Sequence, residues 1–218
     1  MSKSSDVRIA LGACGVTEWD ADDRGCGSAD VPLCAEGLAE ADRIARLLAD
    51  EAVALVLHGP DEASEATATA VARRQDARKR KVEGLTEMGL GLWEGLKRSE
   101  FEERYPTASK GWREDPASVS APEGETLAEA DERIVGELAR TLERSKAGDA
   151  AIAVILRPIA FGLAVCWLKG LPMGSWREAG SDAGPVLWHT AARSELKGVR
   201  TRARAREWTG RAPRPSKV

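Results

Sequence analysis

Histidine is scarce in this chain. Its 218 residues include two histidines, His58 and His189, and four cysteines. The cysteines are Cys14, Cys26, Cys34 and Cys166. Their spacing fits no zinc motif, and four cysteines are too few for a disulfide scaffold in a chain of this length. These shortages argue against a metal centre, and we expect reduced thiols, no metal and no cofactor.

Long apolar runs and a marked excess of charge are also lacking. No apolar stretch approaches the ~20 residues that a membrane span needs, and the N-terminus has no signal-peptide core. Apolar residues make up 43%, charged residues 31%, and the net charge is −3. These values are typical of a globular domain and show no general bias toward nucleic acid. We expect a cytoplasmic protein without a membrane or nucleic-acid partner, and a homodimer is left open.

Apolar segments alternate with amphipathic segments along the chain. The predicted strands are 8–11, 53–57, 81–85, 151–156 and 185–189, and the predicted helices are 37–50, 62–74, 126–145 and one that begins at Pro158. Between residues 89 and 125 we expect irregular structure with one short helix that Pro106 ends. Thr126 and Glu129 form a predicted capping box. The alternation predicts an α/β three-layer sandwich, with a mainly parallel central sheet and helices on both faces.

The C-terminal segment differs in composition from the rest. We divide the chain into a domain over 1–196 and a basic tail over 197–218, in which Glu207 is the single acid. The tail is either an arm for an acidic partner or nucleic acid, or a partly ordered strand or helix with a solvated end, such as an edge strand whose arginines face water. Residues 200–206, where arginine alternates with other residues, favour the strand.

The segment 11–20 carries a family resemblance. It reads Leu-Gly-Ala-Cys-Gly-Val-Thr-Glu-Trp-Asp. It resembles the signature Leu-Val-Arg-His-Gly-Glu-Thr-Glu-Trp-Asn of the histidine phosphatase (phosphoglycerate mutase-like) superfamily. The resemblance places Ala13 at the position of the phosphate-binding arginine and Cys14 at that of the nucleophilic histidine.

Further segments resemble the same family, in order, over roughly residues 7–170. Arg24 matches the arginine of a glycine-rich motif, and His58 stands where the family has serine. Ala63 replaces the second phosphate-binding arginine, and Arg157 replaces the second catalytic histidine. Glu87 keeps the family's proton-donor position. The resemblance implies a phosphoglycerate mutase-like fold in which only the acid position of the catalytic set remains.

The resemblance therefore implies an inactive member of the family with a binding or regulatory role, and no catalytic residue. Its former active-site cleft would be lined by Ala13, Cys14, Arg24, His58, Ala63, Glu87 and Arg157, and would serve an unknown protein partner or a small anionic ligand. One alternative is altered phosphoryl-transfer or hydrolase chemistry that uses Glu87 with Cys14 or Arg157. A second is a scaffold or assembly role through residues 106–122 or the basic tail. We expect Arg157 either to grip an anion or to close the site by pairing with Glu87 or Glu18.

Overall fold

The computed structural model describes residues 6–197 and 199, and its centre is a five-stranded sheet. The strands are β1 (Asp6–Ala13), β2 (Val53–His58), β3 (Arg78–Lys81), β4 (Ala151–Leu156) and β5 (Val186–Ala192). They lie in the order β3-β2-β4-β1-β5. All neighbouring pairs are parallel except β1 and β5, which are antiparallel. This arrangement confirms the predicted mainly parallel sheet.

Helices cover both faces of this sheet. They are α1 (Glu18–Ala21), α2 (Ala35–Leu47), α3 (Glu62–Gln75), α4 (Arg98–Arg104), α5 (Pro106–Glu114), α6 (Leu127–Arg144), α7 (Pro158–Lys169) and α8 (Trp176–Ala183). Every residue of β4 is buried. Its alternate residues Ile152 and Val154 pack with apolar side chains of α6, α7 and α8, whereas Ala153 and Ile155 pack with those of α2 and α3. The period of two along a strand that is covered on both sides produces the three-layer sandwich.

One predicted strand is wrong. Residues 81–85 do not form the third strand; β3 comes earlier, and Glu83–Leu85 is a 3-10 helix. All four residues of β3 are exposed lysines or arginines. This strand is held in the sheet by backbone hydrogen bonds to β2 and buries no side chain of its own. Its sequence therefore has no hydrophobic periodicity from which a strand could be predicted.

The region between β3 and α6 is more regular than predicted. Pro106 does follow the end of α4, but it also opens α5, because its fixed φ and missing N–H suit the first turn of a helix. The helix α8 was not predicted. At α6 the predicted capping box is confirmed, with Thr126 and Glu129 bonded reciprocally.

The topology brings three chain segments to one edge of the sheet. The strands β1, β4 and β2 are parallel neighbours, so their carboxyl ends lie side by side. Cys14 follows β1 and donates its backbone N–H to the carbonyl of Leu156, the last residue of β4, at 2.7 Å. Arg157 follows β4, and His58 ends β2. This edge is where ligands bind in open α/β sheets.

The predicted tail, 197–218, lies outside the described residues apart from Lys197 and Val199. Within the described part of the chain, no helix has the length and apolar character that crossing a membrane would require.

Candidate functional site

A cluster of residues, all buried except the partly exposed Asp20, occupies the carboxyl edge of the sheet and is here called the inner site. It consists of Cys14, Asp20, His58, Asp61, Ala63, Glu87 and Arg157. Cys14 and Ala63 belong to the same apolar cluster, although Cys14 follows β1 and Ala63 lies in α3. Arg157 is near enough to Cys14 and Glu87 for its charge to affect the pKa of both groups. The structure thus brings together most of the residues predicted for one cleft.

Cys14 is held as a neutral thiol. It is 9% exposed, and its S–H donates to the carbonyl of Gly15 at 3.4 Å. Burial raises the pKa of the Cys14 thiol far above its usual range, and the nearby Arg157 only partly opposes this effect. Because the thiolate is the reactive form of cysteine, this environment suppresses nucleophilic attack by Cys14.

Arg157 is almost completely buried, with 1% of its surface exposed. Its Nη2 lies 3.9 Å from Asp20 Oδ2, and its Nη1 lies 3.9 Å from Asp61 Oδ1. The expectation that Arg157 pairs with Glu87 or Glu18 is therefore wrong. Asp20 and Asp61 are its acidic neighbours, and its Nε and Nη1 have no hydrogen-bond partner among the described residues. Asp61 lies beside Arg157 because it is the N-cap of α3, at the same edge of the sheet.

Glu87 is bound to the start of α7. Its Oε1 accepts from the backbone N–H groups of Met88 at 2.8 Å and Ala160 at 2.9 Å, and its Oε2 accepts from that of Ile159 at 2.8 Å. Pro158 has no N–H, so Ile159 and Ala160 supply the first free donors of α7. Burial raises the pKa of Glu87 to about 7. The backbone hydrogen bonds and the charge of Arg157 favour the ionised form and lower the pKa, but they only partly offset the effect of burial. Glu87 thus has a capping role in this fold.

The remaining inner residues are small or neutral. Ala63 is fully buried in the first turn of α3, and Ala13 donates its backbone N–H to the carbonyl of Pro185 at 3.3 Å. His58 is 1% exposed, and its Nδ1 lies 2.6 Å from the carbonyl oxygen of Gly59. Burial lowers the pKa of His58, which favours the neutral ring. Among residues 6–197 and 199, no group of three or more histidine, cysteine, aspartate or glutamate residues is arranged to hold a metal ion.

Arg24 points elsewhere. Its Nε donates to Asp22 at 2.6 Å and its Nη1 donates to the carbonyl of Gly95 at 2.8 Å. It lines a separate recess of about 540 Å³, here called the outer cleft. The outer cleft has an aromatic wall of Trp93, Phe101 and Trp112, four arginines (Arg24, Arg98, Arg113 and Arg177) and three acids (Asp23, Glu102 and Glu178).

Several residues of both regions were missed by sequence reasoning. Asp20 and Asp61 lie beside Arg157 in the inner site, and Trp112 and Ser109 line the outer cleft from α5. A signal existed for Asp61, since an acidic residue before an alanine-rich helix is typical of an N-cap. The α5 residues had none, because that helix was not predicted.

The segment between the two regions is held by Arg133. Its guanidinium pairs with Glu125 at 2.6 Å and donates to the carbonyls of Gly84, Thr86 and Glu87. This network fixes the backbone that positions Glu87.

Comparison with known proteins agrees with this architecture. The sequence profile of the histidine phosphatase superfamily (branch 1) matches residues 14–204. Phosphoserine phosphatase 1 of Hydrogenobacter thermophilus is 25% identical over 176 residues, which cover 81% of this chain and 82% of that protein.

Solved structures of similar fold include the α-ribazole phosphatase of Shigella flexneri, with 24% identity, a TM-score of 0.69, and coverage of 79% of this chain and 84% of that one. A mycobacterial glucosyl-3-phosphoglycerate phosphatase has 22% identity, a TM-score of 0.68, and coverage of 86% and 98%.

Proposed function

The chain belongs to the histidine phosphatase superfamily (branch 1), and we propose that this member binds a ligand or a partner protein without catalysing phosphoryl transfer. The observation that carries the proposal is the state of Arg157. Where the family resemblance implies a catalytic histidine facing the substrate, Arg157 is buried, with carboxylate oxygens of Asp20 and Asp61 each 3.9 Å from its guanidinium. Nearby carboxylates partly offset its charge and so weaken its attraction for a further anion.

The missing side chains would cost a great deal in rate. Loss of an activated nucleophile in enzymes of comparable logic lowers the rate by a factor on the order of 10⁴–10⁶. Each charged hydrogen bond to phosphate is worth roughly 1.5–3 kcal/mol, and Ala13 and Ala63 replace two arginines that would make them. A single remaining carboxyl group does not compensate for losses of this size.

Altered chemistry in the same cleft is disfavoured by the same geometry. Cys14 is a buried thiol whose pKa is raised, so little of it is thiolate. Both oxygens of Glu87 accept hydrogen bonds from backbone N–H groups, which occupies the carboxylate that would act as acid or base. These contacts support a binding role for the protein.

The outer cleft is the candidate ligand site in this proposal. Its volume, about 540 Å³, falls in the range of small-molecule pockets, and it combines an aromatic wall with arginines. Arginine binds carboxylate and phosphate groups in a bidentate manner. The similar proteins are named as phosphatases of phosphoserine, α-ribazole phosphate and glucosyl-3-phosphoglycerate. We infer a small anionic ligand that has an apolar part for the aromatic wall.

An activity assay tests the loss of catalysis. The protein is incubated with an aryl phosphate beside a variant that carries Ala13→Arg, Cys14→His, Ala63→Arg and Arg157→His, and beside an active histidine phosphatase. We expect no turnover above background from the unmodified protein. Turnover that disappears in Cys14→Ser would overturn the proposal, because it would identify Cys14 as a working nucleophile.

A thermal-shift panel tests the binding role. Phosphate, sugar phosphates and nucleotides are added to the protein and to Ser109→Trp, which places a large ring in the outer cleft from the buried Ser109. We expect at least one compound of the panel to raise the melting temperature of the unmodified protein. The same compound should not raise the melting temperature of Ser109→Trp. The exposed substitution Arg43→Gln is the control and leaves the shift unchanged. A flat response across the panel would favour a scaffold role instead.

A further inference from the structure

Basic residues are concentrated at the edge of the sheet that β3 forms, apart from the residues of the inner site and the outer cleft. Residues 73–81 contain six lysines and arginines and one acid, Asp76, although the whole chain has a net charge of −3. Four of the six form β3, and all four side chains are exposed. The edge therefore carries a local charge opposite in sign to that of the protein as a whole.

A second element adds cations beside this strand. Arg140 and Arg144 on α6, and Lys146 after it, lie next to β3 along two shallow recesses of about 440 and 370 Å³. Arg80 and Arg144 line both recesses, so the two are continuous. Together the recesses are lined by seven basic side chains and two acidic ones, Glu83 and Glu137. We call this surface the basic groove.

Some of these cations are already paired, and others are not. Lys79 pairs with Glu65 at 2.6 Å, Lys81 pairs with Glu83 at 2.9 Å, and Arg140 pairs with Glu137. Arg78, Arg144 and Lys146 are exposed and make no ion pair with another residue of the described chain. Arg80 donates to the hydroxyl of Ser145 at 3.1 Å, which turns it toward the end of α6. The unpaired charges thus lie on the α6 side of β3.

The strand also offers backbone groups. β3 is the terminal strand of the sheet and pairs with β2 alone among the described strands, so its outer side has open N–H and C=O groups. Charged side chains on an edge strand discourage aggregation. Protection against aggregation explains the charges on β3. It does not explain Arg144 and Lys146, which are outside the strand and line the same recess as Arg78 and Arg80.

The chemistry of the basic groove favours carboxylates over nucleic acid. None of the residues that line the two recesses is aromatic, so the surface has no ring on which bases could stack. An extended peptide presents alternate side chains at a spacing of ~6.6–6.8 Å, which matches the spacing of Arg78 and Arg80 along β3. Strand addition at an exposed edge is an established mode of peptide recognition.

We propose that the basic groove docks an extended acidic segment of a partner protein, which pairs with the outer edge of β3 as a sixth strand. Acidic side chains of one face of that segment contact Arg78, Arg80 and Arg144. The paired lysines of β3 lie toward its other face. This inference does not depend on whether the inner site is catalytic, because no residue is shared between the two.

Fluorescence anisotropy with the full chain tests the docking. The probe is a labelled peptide of about ten residues, long enough for a full strand, in which glutamate and threonine alternate. A second probe carries N-methyl groups on alternate backbone amides, so it keeps the charges and cannot complete the strand pairing. We expect the first peptide to bind at roughly 0.15 M salt, and the N-methylated peptide to bind at least about fivefold more weakly.

Matched variants separate the groove from general electrostatics. Arg78→Glu with Arg144→Glu reverses two charges in the groove, and Arg43→Glu with Arg46→Glu reverses two exposed charges on α2. We expect about a tenfold loss of affinity, equivalent to about 1.4 kcal/mol, in the first pair and little change in the second, with unchanged circular dichroism in both.

Three results would overturn the proposal. One is equal weakening by the two double variants, which would show that only net charge matters. Another is equal binding of the N-methylated peptide, which would exclude strand addition. The third is tighter binding of an oligothymidylate of matched charge, which would assign the groove to nucleic acid instead.

Discussion

The inner site and the outer cleft use arginine in opposite ways. In the inner site, Arg157 is 1% exposed and lies between Asp20 and Asp61. In the outer cleft, the side chains of Arg98 and Arg113 are 70% and 66% exposed, although each also has a carboxylate nearby. A buried arginine needs internal carboxylates to offset the loss of its hydration, whereas an exposed one keeps its water and can exchange partners. Burial therefore decides which arginines are available to a ligand.

The segment from Glu87 to Arg98 separates the two regions and contributes to both. Glu87 faces the start of α7, while Leu90, Trp93 and Arg98 line the outer cleft. A change that disturbs only one region shows that the two are independent, and a change that disturbs both shows that this segment couples them.

The largest effect is expected from Arg157→Met. Breaking a buried ion pair from one side costs roughly 3–5 kcal/mol, because a carboxylate stays buried without a partner. Asp61, at 8% exposed, is that carboxylate. Urea unfolding followed by tryptophan fluorescence measures the loss. Adding Asp61→Leu also removes the N-cap of α3, which costs about 1 kcal/mol, so it is expected to recover only part of the loss; an additive double variant would contradict the pairing.

The pH dependence of stability is the next test and concerns Glu87. Its pKa is about 7 in the folded protein against 4.5 for an ordinary glutamate, so the folded state holds the proton more tightly than the unfolded state. The resulting stabilisation is complete below pH 4.5 and is lost as the pH rises through 7. The size of this stabilisation is on the order of 3 kcal/mol.

Glu87→Gln removes this titration. Between pH 5 and 8 we expect the free energy of unfolding to fall more in the unmodified protein than in the variant. The difference between the two pH profiles is the contribution of Glu87. Parallel curves would show that the carboxyl group is already ionised at the lower pH. The response of the outer cleft to its ligand should stay the same in both proteins if the two regions are independent.

A smaller effect follows from the tight packing around Gly15. A Cβ at this position would lie 2.2 Å from the backbone carbonyl oxygen of Gly37, in the first turn of α2. We expect Gly15→Ala to destabilise the protein by about 1–3 kcal/mol, because the backbone at position 15 or at Gly37 has to move to make room for the added methyl group. Thermal unfolding measures it, and an unchanged melting temperature would mean that the edge of the inner site is looser than its geometry indicates.

Gly136→Ala is the matched glycine far from both regions and has the smallest expected effect. Nothing lies within 4 Å of a Cβ at this position in α6. Alanine is favoured over glycine inside a helix by about 0.5–1 kcal/mol, so the variant should be slightly more stable. Destabilisation by Gly136→Ala would indicate that α6 tolerates less change than its open surface suggests.

Much of the fold could be predicted from local pattern. The strands β1, β2 and β4 carry continuous apolar runs, and Thr126 with Glu129, or Pro158 at a first turn, mark helix starts by their own chemistry. The strand β3 could not be found in this way, since a cationic edge strand is defined by its neighbour's backbone.

The candidate site, like the fold, has features that the sequence predicts and features that depend on tertiary structure. The family resemblance, carried by residue order and type, was enough to indicate that Cys14, Ala63, Glu87 and Arg157 line one cleft. Tertiary structure alone decided that Arg157 pairs with Asp20 and Asp61, and that Glu87 caps α7. Those choices depend on distances of a few ångströms between segments far apart in the chain, and on how deeply each charge is buried, which no local pattern specifies.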